Sequence, residues 1–135
     1  KLKVSSIVLD GEAMCFTGAQ QDFDKLWNRT HDHEAKLCAF DLLELNGRDL
    51  RSLPLSERKK HLFKVIRRSM SIEYVEHLTG DGKEIFEHAC KLGLEGIVSK
   101  RVDAPYISGP SKTWLKTKNQ DHPAMIRVKE AFRSA

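Results

Sequence analysis

Apolar and polar residues change rhythm several times along the chain, and each change marks an element. From Val4 to Phe16, β-branched and apolar residues dominate around Asp10 and Gly11, which predicts extended chain. The Asp-Gly pair reads either as a hairpin turn or as a glycine that lets a ligand approach a strand. Phe23, Leu26, Trp27 and Thr30 recur at helical spacing and predict a short amphipathic helix starting near Asp22. Leu37 to Leu45 is an apolar run closed by Asn46 and Gly47, the pattern of a strand ending in a turn.

Pro54 opens a second helix. Over Leu55 to Arg68 an apolar stripe of Leu55, Leu62, Val65 and Ile66 is predicted to face the core, with Arg58, Lys59, Lys60, Lys64, Arg67 and Arg68 on the remaining surface. A strand follows near Ile72 to Glu76. Ile85, Phe86, Ala89 and Cys90 mark the core side of a third helix, which Gly93 ends with a left-handed cap. Leu94 to Arg101 and Thr113 to Lys118 are the last two strands, and Pro123 to Arg133 reads as a helical tail with Met125, Val128 and Phe132 on one side. The class is α+β.

Composition narrows this picture modestly. With 135 residues, 40% of them hydrophobic, the chain is long enough for one domain or part of one. The 23 Lys and Arg outweigh 19 Asp and Glu to give +4, which favours an anionic partner only weakly. Cys15, Cys38 and Cys90 are far apart and lie in apolar stretches, as reduced buried thiols would. No apolar run is long enough to cross a bilayer and no signal peptide is evident, so the expectation is a soluble, cytoplasmic protein without membrane partners. The first residue is Lys1 and a strand begins almost at once, so the chain reads as starting inside a fold.

Phosphate-loop, dinucleotide and serine-elbow motifs are absent. His31, Asp32 and His33 could offer two imidazoles to a metal, but with no third ligand nearby a polar loop is the better reading. What stands out is a set of charged residues in otherwise apolar, strand-like sequence: Glu12, Glu95, Lys100, Lys116 and Lys118. Burying such charges without partners is costly. Residues two apart on a strand share a face, so Trp114, Lys116 and Lys118 should point the same way. Two adjacent ammonium groups call for an anion between them; phosphate fits, with carboxylates on nearby strands able to hold a divalent metal. Periodicity alone favours the plainer reading that one strand face is simply wet.

The order of four short words shifts that balance. Leu9 to Glu12 (LDGE), Phe40 to Leu45 (FDLLEL) running into Asn46 to Leu50 (NGRDL), Glu95 to Arg101 (EGIVSKR) and Thr113 to Lys118 (TWLKTK) occur in series, with LPLSER at Leu53 to Arg58 and LGLE at Leu92 to Glu95 between them. The series resembles the ligase domain of bacterial ATP-dependent DNA ligases, especially the non-homologous end-joining type, from Val8 to about Asn119. The resemblance implies a covalent nucleotidyltransferase fold, as in DNA ligases and mRNA capping enzymes: antiparallel sheets flanked by helices around a nucleotide cleft. It divides the chain into a partial adenylation domain over 1–119 and a tail over 120–135, too short for the OB-fold barrel that follows in the family.

By the same resemblance Glu12 contacts the sugar region of ATP and Phe40 stacks on adenine. Glu95 helps bind Mg2+ or Mn2+, and Lys116 and Lys118 hold the α-phosphate, where fixed positive charge favours a crowded anionic transition state. Lys100 shares a motif with Glu95. For Phe40, packing in the core is the competing reading. The implied reaction passes AMP from ATP to an enzyme lysine, then to a DNA 5′-phosphate, and is completed by the 3′-hydroxyl of nicked or broken duplex DNA, with end-joining proteins as possible partners and the bacterial nucleoid as the place of work.

One departure qualifies this. The family's nucleophile is a lysine followed by any residue, aspartate and glycine, and no such quartet occurs in these 135 residues. Val8 stands where the lysine would, ahead of Asp10 and Gly11, and the following Glu12 marks the stretch as the later motif. This chain alone is therefore expected not to adenylate itself. Two alternatives stay open: a relative such as an RNA ligase or capping guanylyltransferase, and a non-catalytic nucleotide- or DNA-binding remnant that uses the basic helix of Arg58 to Arg68.

Overall fold

The structure, a computed structural model, describes residues 2–18, 20–29, 31–123 and 125. In chain order the elements are β1 (Ile7–Met14), β2 (Phe16–Thr17), β3 (Gln20–Gln21), α1 (Phe23–Trp27), a short 3-10 helix (Asp32–Glu34), β4 (Lys36–Leu45), β5 (Arg48–Asp49), α2 (Leu55–Ile66), β6 (Ile72–Tyr74), α3 (Gly82–Lys91), β7 (Gly96–Lys100) and β8 (Trp114–Lys118). They fall into two compact units, one drawn from Lys1–Glu76 with Val102–Ser108, the other from His77–Arg101 with Gly109–Ala135.

In the first unit, β4 is the central strand. β1 runs antiparallel along one edge of it, and the other edge carries β6 in parallel at Leu37 to Ala39 and β5 antiparallel at Glu44 and Leu45. The turn from β4 to β5 holds only Asn46 and Gly47, at φ 53° and 80°. Both positive values belong to the turn whose twist matches paired strands, which asparagine and glycine tolerate best. Asp10 and Gly11 do not form a turn. They lie inside β1, where a Cβ on Gly11 would come 2.7 Å from the Cys38 carbonyl oxygen. The close approach this glycine permits is that of the neighbouring strand.

Helix α2 covers the sheet. Ala39, Leu42, Leu50, Leu62 and Ile66 form the buried cluster, with Ile7, Leu9, Leu45, Val65, Ile72 and Tyr74 packed around it. Each large side chain fully buried here contributes about 1.5–3 kcal/mol. Two basic residues expected on the surface of α2 are inside instead: Arg58 is 0% and Lys59 6% exposed. Arg58 stands three residues after Leu55 and four before Leu62, so helical geometry places it on the apolar stripe.

The charge on Arg58 is fully met. Its Nε and Nη2 donate to Asp41 Oδ1 and Oδ2, both at 2.8 Å, and its Nη1 donates to the carbonyls of Leu53 at 2.6 Å and Ala104 at 3.2 Å. Asp41, on β4, is 0% exposed and also accepts from the Leu42 amide. Lys59 Nζ donates to Val75 O at 2.8 Å and lies 4.6 Å from the centre of the Tyr74 ring. No buried side-chain nitrogen or oxygen among the described residues lacks a partner. The segment Val102–Ser108 is held to this unit through Leu55 N to Ala104 O, Ser56 N to Val102 O and Tyr106 N to Arg51 O.

Helix α1 is shorter than its expected stripe. Asp22 caps it by accepting from the Lys25 amide, yet the helix spans five residues and Trp27 is 87% exposed. So short a helix turns only Leu26 inward among its described apolar side chains, while the Phe23 side chain and Thr30 lie outside the described residues.

In the second unit, Asp81 caps α3 by accepting from the amides of Lys83 and Glu84, Ala89 is buried, and Gly93 follows the helix at φ 72°. β7 and β8 form an antiparallel pair. Residues 124 and 126–135, which include most of the expected helical tail, lie outside the described residues.

Removing one member of a buried ion pair strands the other. Arg58→Met is therefore expected to lower stability by about 3–5 kcal/mol, read from the urea unfolding midpoint, while Arg67→Met on the exposed end of the same region changes it by less than about 0.5 kcal/mol.

Candidate functional site

The residues picked out from sequence are distributed over both units. In the first, Glu12 lies on β1 opposite Cys38 of β4, and its carboxylate is exposed. Phe40 is half-buried on β4. The register passes from Asp10 opposite Asp41 to Gly11 opposite Ala39, stepping over Phe40, so this residue sits at a β-bulge. Bulges re-aim side chains, and here the affected side chain is an aromatic two positions along β4 from the partner of Glu12.

Asp10 is tied down by Tyr106, whose hydroxyl donates to Asp10 Oδ2 at 3.0 Å, while the Tyr106 ring lies 5.7 Å from the Arg58 guanidinium. The hydrogen bond thereby links β1, just before Gly11 and Glu12, to the anchored segment Val102–Ser108. A small depression bordered by Glu12, Met14, Cys15, Gln21, Asp22 and Leu26 has room for about one water, far less than a nucleotide needs. Cys15 and Cys38 are buried free thiols, and burial pushes Cys38 above the usual thiol value, which keeps it protonated and inert.

The second unit carries the lysines. Pairing sets Gly96 opposite Lys118, Val98 opposite Lys116 and Lys100 opposite Trp114. Alternation along each strand then puts Lys100, Trp114, Lys116 and Lys118 on one face. Lys100 Nζ lies 3.8 Å from the centre of the Trp114 ring, a cation–π contact that ties the two strand ends together. Gly96 allows close pairing, because a Cβ there would collide with the Thr117 carbonyl oxygen. Glu95 precedes β7, its carbonyl accepting from the Asn119 amide at 2.7 Å, and its carboxylate is exposed.

The premise that these charges are buried is corrected by the structure. Glu12, Glu95, Lys116 and Lys118 are exposed, and Lys100 is half-buried. The two-stranded sheet of β7 and β8 has too little covering to desolvate Lys116 and Lys118, so they keep their hydration. The charges that needed partners are Asp41, Arg58 and Lys59, and they have them. Their signal was legible in part: Arg58 and Lys59 lie at helical spacing from Leu55 and Leu62, and Asp41 interrupts an apolar strand.

For a divalent cation, Glu95 offers a single carboxylate. Among the described residues no three His, Cys, Asp or Glu side chains group to hold a metal ion. One exposed carboxylate suits magnesium, which keeps several waters and takes other ligands from substrate phosphates. His31 and His33 stack with ring centres 6.3 Å apart, near the Glu34 carboxylate on an exposed stretch. No described helix is long and apolar enough to cross a membrane.

The family described as "ATP dependent DNA ligase domain" matches residues 1–118. The chain belongs to the ATP-dependent DNA ligase family. A probable DNA ligase of Sorangium cellulosum is 37% identical over 131 residues, covering 87% of this chain and 25% of that protein. The multifunctional non-homologous end joining protein LigD of Mycobacterium bovis is 36% identical, over 96% of this chain and 18% of its own length. The chain thus spans a quarter or less of these two ligases.

A solved structure of mycobacterial DNA ligase D complexed with ATP and MES matches with a TM-score of 0.72 at 36% identity, covering 84% of this chain and 38% of that one. The expected ligase fold, α+β with antiparallel sheets flanked by helices, is the fold found. β6, running parallel to β4, is an exception to the pairing within it. A Lig E DNA ligase structure, 18% identical with a TM-score of 0.62, shares the fold.

Burial and the hydrogen bond to Asp10 together raise the Tyr106 hydroxyl above its ordinary value of 10.0, and burial also raises Tyr74. The folded ligase chain therefore holds the Tyr106 proton more tightly than the unfolded chain. This stabilisation is complete below pH 10.0 and is lost as pH rises through the folded-state value. Tyr106→Phe should cost about 1 kcal/mol at neutral pH, and should remove a phenol that titrates above free tyrosine in a phenolate absorbance titration. Titration of Tyr106 at the free-tyrosine value would contradict the assignment.

Proposed function

We propose that this chain supplies part of the ATP site of a DNA ligase that seals nicked or broken duplex DNA through a lysine–AMP intermediate and a DNA adenylate. The observation carrying this reading is the exposed face of β7 and β8, with Lys116 and Lys118 side by side in a chain of ligase family. Two ammonium groups two residues apart repel each other, and a phosphate oxygen between them turns that repulsion into attraction. In this reading they hold the α-phosphate, Glu12 accepts from the ribose and Phe40 stacks on adenine. Lys100, held over Trp114, keeps the ladder rigid next to them.

Mg2+ or Mn2+ would be held by Glu95 together with ATP phosphates and water, and would neutralise charge on the transferring phosphoryl group. Residues 1–119 are read as part of the adenylation domain and 120–135 as its tail. The similarity to LigD supports end-joining proteins as partners. Because these 135 residues contain no lysine quartet of the family kind, the adenylate acceptor would be a lysine outside this sequence.

The accessory-module reading draws on the basic surface of α2, and the fold weakens it. Arg58 and Lys59 are withdrawn into the core and Lys60, though exposed, is paired with Glu57 at 2.7 Å, so Lys64, Arg67 and Arg68 carry most of the outward charge of that stretch. Three such charges at a helix end are ordinary solvated surface.

Incubated with labelled ATP and Mg2+ or Mn2+, the chain alone should form no stable protein adenylate. Joined to an upstream segment bearing the family quartet it should label, and Lys116→Ala should then cut labelling about 100-fold. Labelling by GTP in place of ATP would point to capping chemistry, and undiminished labelling of the Lys116 variant would remove the phosphate role.

A further inference from the structure

At Phe40 β4 bulges against β1, and just beyond it β4 changes its neighbour on the other edge. On the β1 edge the ladder steps over it. On the other edge β6 pairs as far as Ala39, whose carbonyl takes the Val75 amide at 2.9 Å, and β5 pairs only from Glu44. Leu50 N donates to Leu43 O at 2.8 Å, and between Ala39 and Leu43 two side chains also reach the backbone of β4. Asp41 Oδ1 accepts from the Leu42 amide at 2.8 Å, and Lys59 Nζ reaches the Phe40 carbonyl at 3.5 Å. Both side chains are gripped from α2: Asp41 by Arg58 in a two-point ion pair, and Lys59 as a residue of the helix itself.

The geometry points to Lys59 as a positioning residue for Phe40, with the Asp41–Arg58 pair fixing the next residue along; this rests on the reading of Phe40 as the purine platform. A lysine is a costly choice for this position if packing were its whole purpose. It is 6% exposed, and an apolar side chain of similar length would fill the same space without desolvating a charge. What the ammonium adds is direction. It reaches from α2 to carbonyls on two segments, Phe40 on β4 and Val75 after β6, above the face of Tyr74. A bulged residue is the least constrained point of a strand, and stacking requires its ring to be held in one orientation. Lys59 adds a hold on the β4 backbone at this bulge.

The test uses the chain as it stands and the triphosphate of 2-aminopurine riboside, whose fluorescence is quenched when it stacks on an aromatic ring. Phe40→Ala should weaken quenching-detected binding by about tenfold or more, and Lys59→Met by about fivefold, with Lys59→Arg restoring most of it. Adding Lys59→Met to Phe40→Ala should produce no further loss, because the lysine acts through the ring. In parallel, NMR couplings of the Phe40 side chain should show one rotamer in the wild-type chain and averaging in Lys59→Met, with the exposed control Lys60→Met unchanged. Lys59→Gln, which keeps a donor but is one atom shorter, repeats the comparison if Lys59→Met does not fold.

Equal losses from Lys59→Met with and without Phe40 would overturn the positioning role, as would an unchanged Phe40 rotamer. Absence of binding by the wild-type chain, or binding unaffected by Phe40→Ala, would instead remove the purine-platform reading on which the inference stands.

Discussion

A carboxylate and a guanidinium taken out of water each forfeit several kcal/mol of hydration, and they recover it only in good geometry with every remaining donor and acceptor occupied. Asp41 and Arg58 meet that condition through two parallel bonds, two backbone carbonyls and an amide. Most other features of the first unit hang on this pair. It fixes α2 over the middle of β4 and draws in the loop before α2 through Leu53. It also captures Ala104, so a segment lying between β7 and β8 in sequence is bound to the first unit. Tyr106 extends the same grip to Asp10 on β1.

The pair also explains how a strand with irregular pairing keeps its shape. β4 carries register shifts against β1 and is flanked on its other edge by strands at its ends only. Hydrogen-bonded ladders alone would leave its centre loosely specified, and a one-residue slip would turn its apolar side chains outward. Anchoring Asp41 from the helix defines the register at the point where the ladder is interrupted.

The ligase-related lysines follow a different logic. They sit on a thin two-stranded ladder that leaves Lys116 and Lys118 exposed and Lys100 half-buried, and strand pairing sets their arrangement: Lys118 opposite a glycine, Lys116 opposite a valine, Lys100 braced on Trp114. Hydrated cations on a stiff strand cost little stability and remain available to an anion. The structural charges are buried and satisfied, and the charges suited to ligand binding are exposed. Position in the fold, more than residue type, separates the two sets.

Much of this was readable in the sequence. The apolar run and Asn-Gly pair gave β4 and its turn, Pro54 and the stripe gave α2, Ile85, Phe86, Ala89, Cys90 and Gly93 gave α3, and the alternation of Trp114, Lys116 and Lys118 gave their common face. Those features depend on spacing within a few residues, which the chain alone specifies. The order of the four motif words likewise carried the family. Only the tertiary structure decided that the charges are buried, because spacing places Arg58 on the apolar stripe but does not show that Asp41, seventeen positions away, is brought beside it. The Gly11 contact with β4, the bulge at Phe40, the parallel β6 and the capture of Ala104 belong to the same class. Each is set by the meeting of segments distant in sequence, and local pattern holds no record of which segments meet.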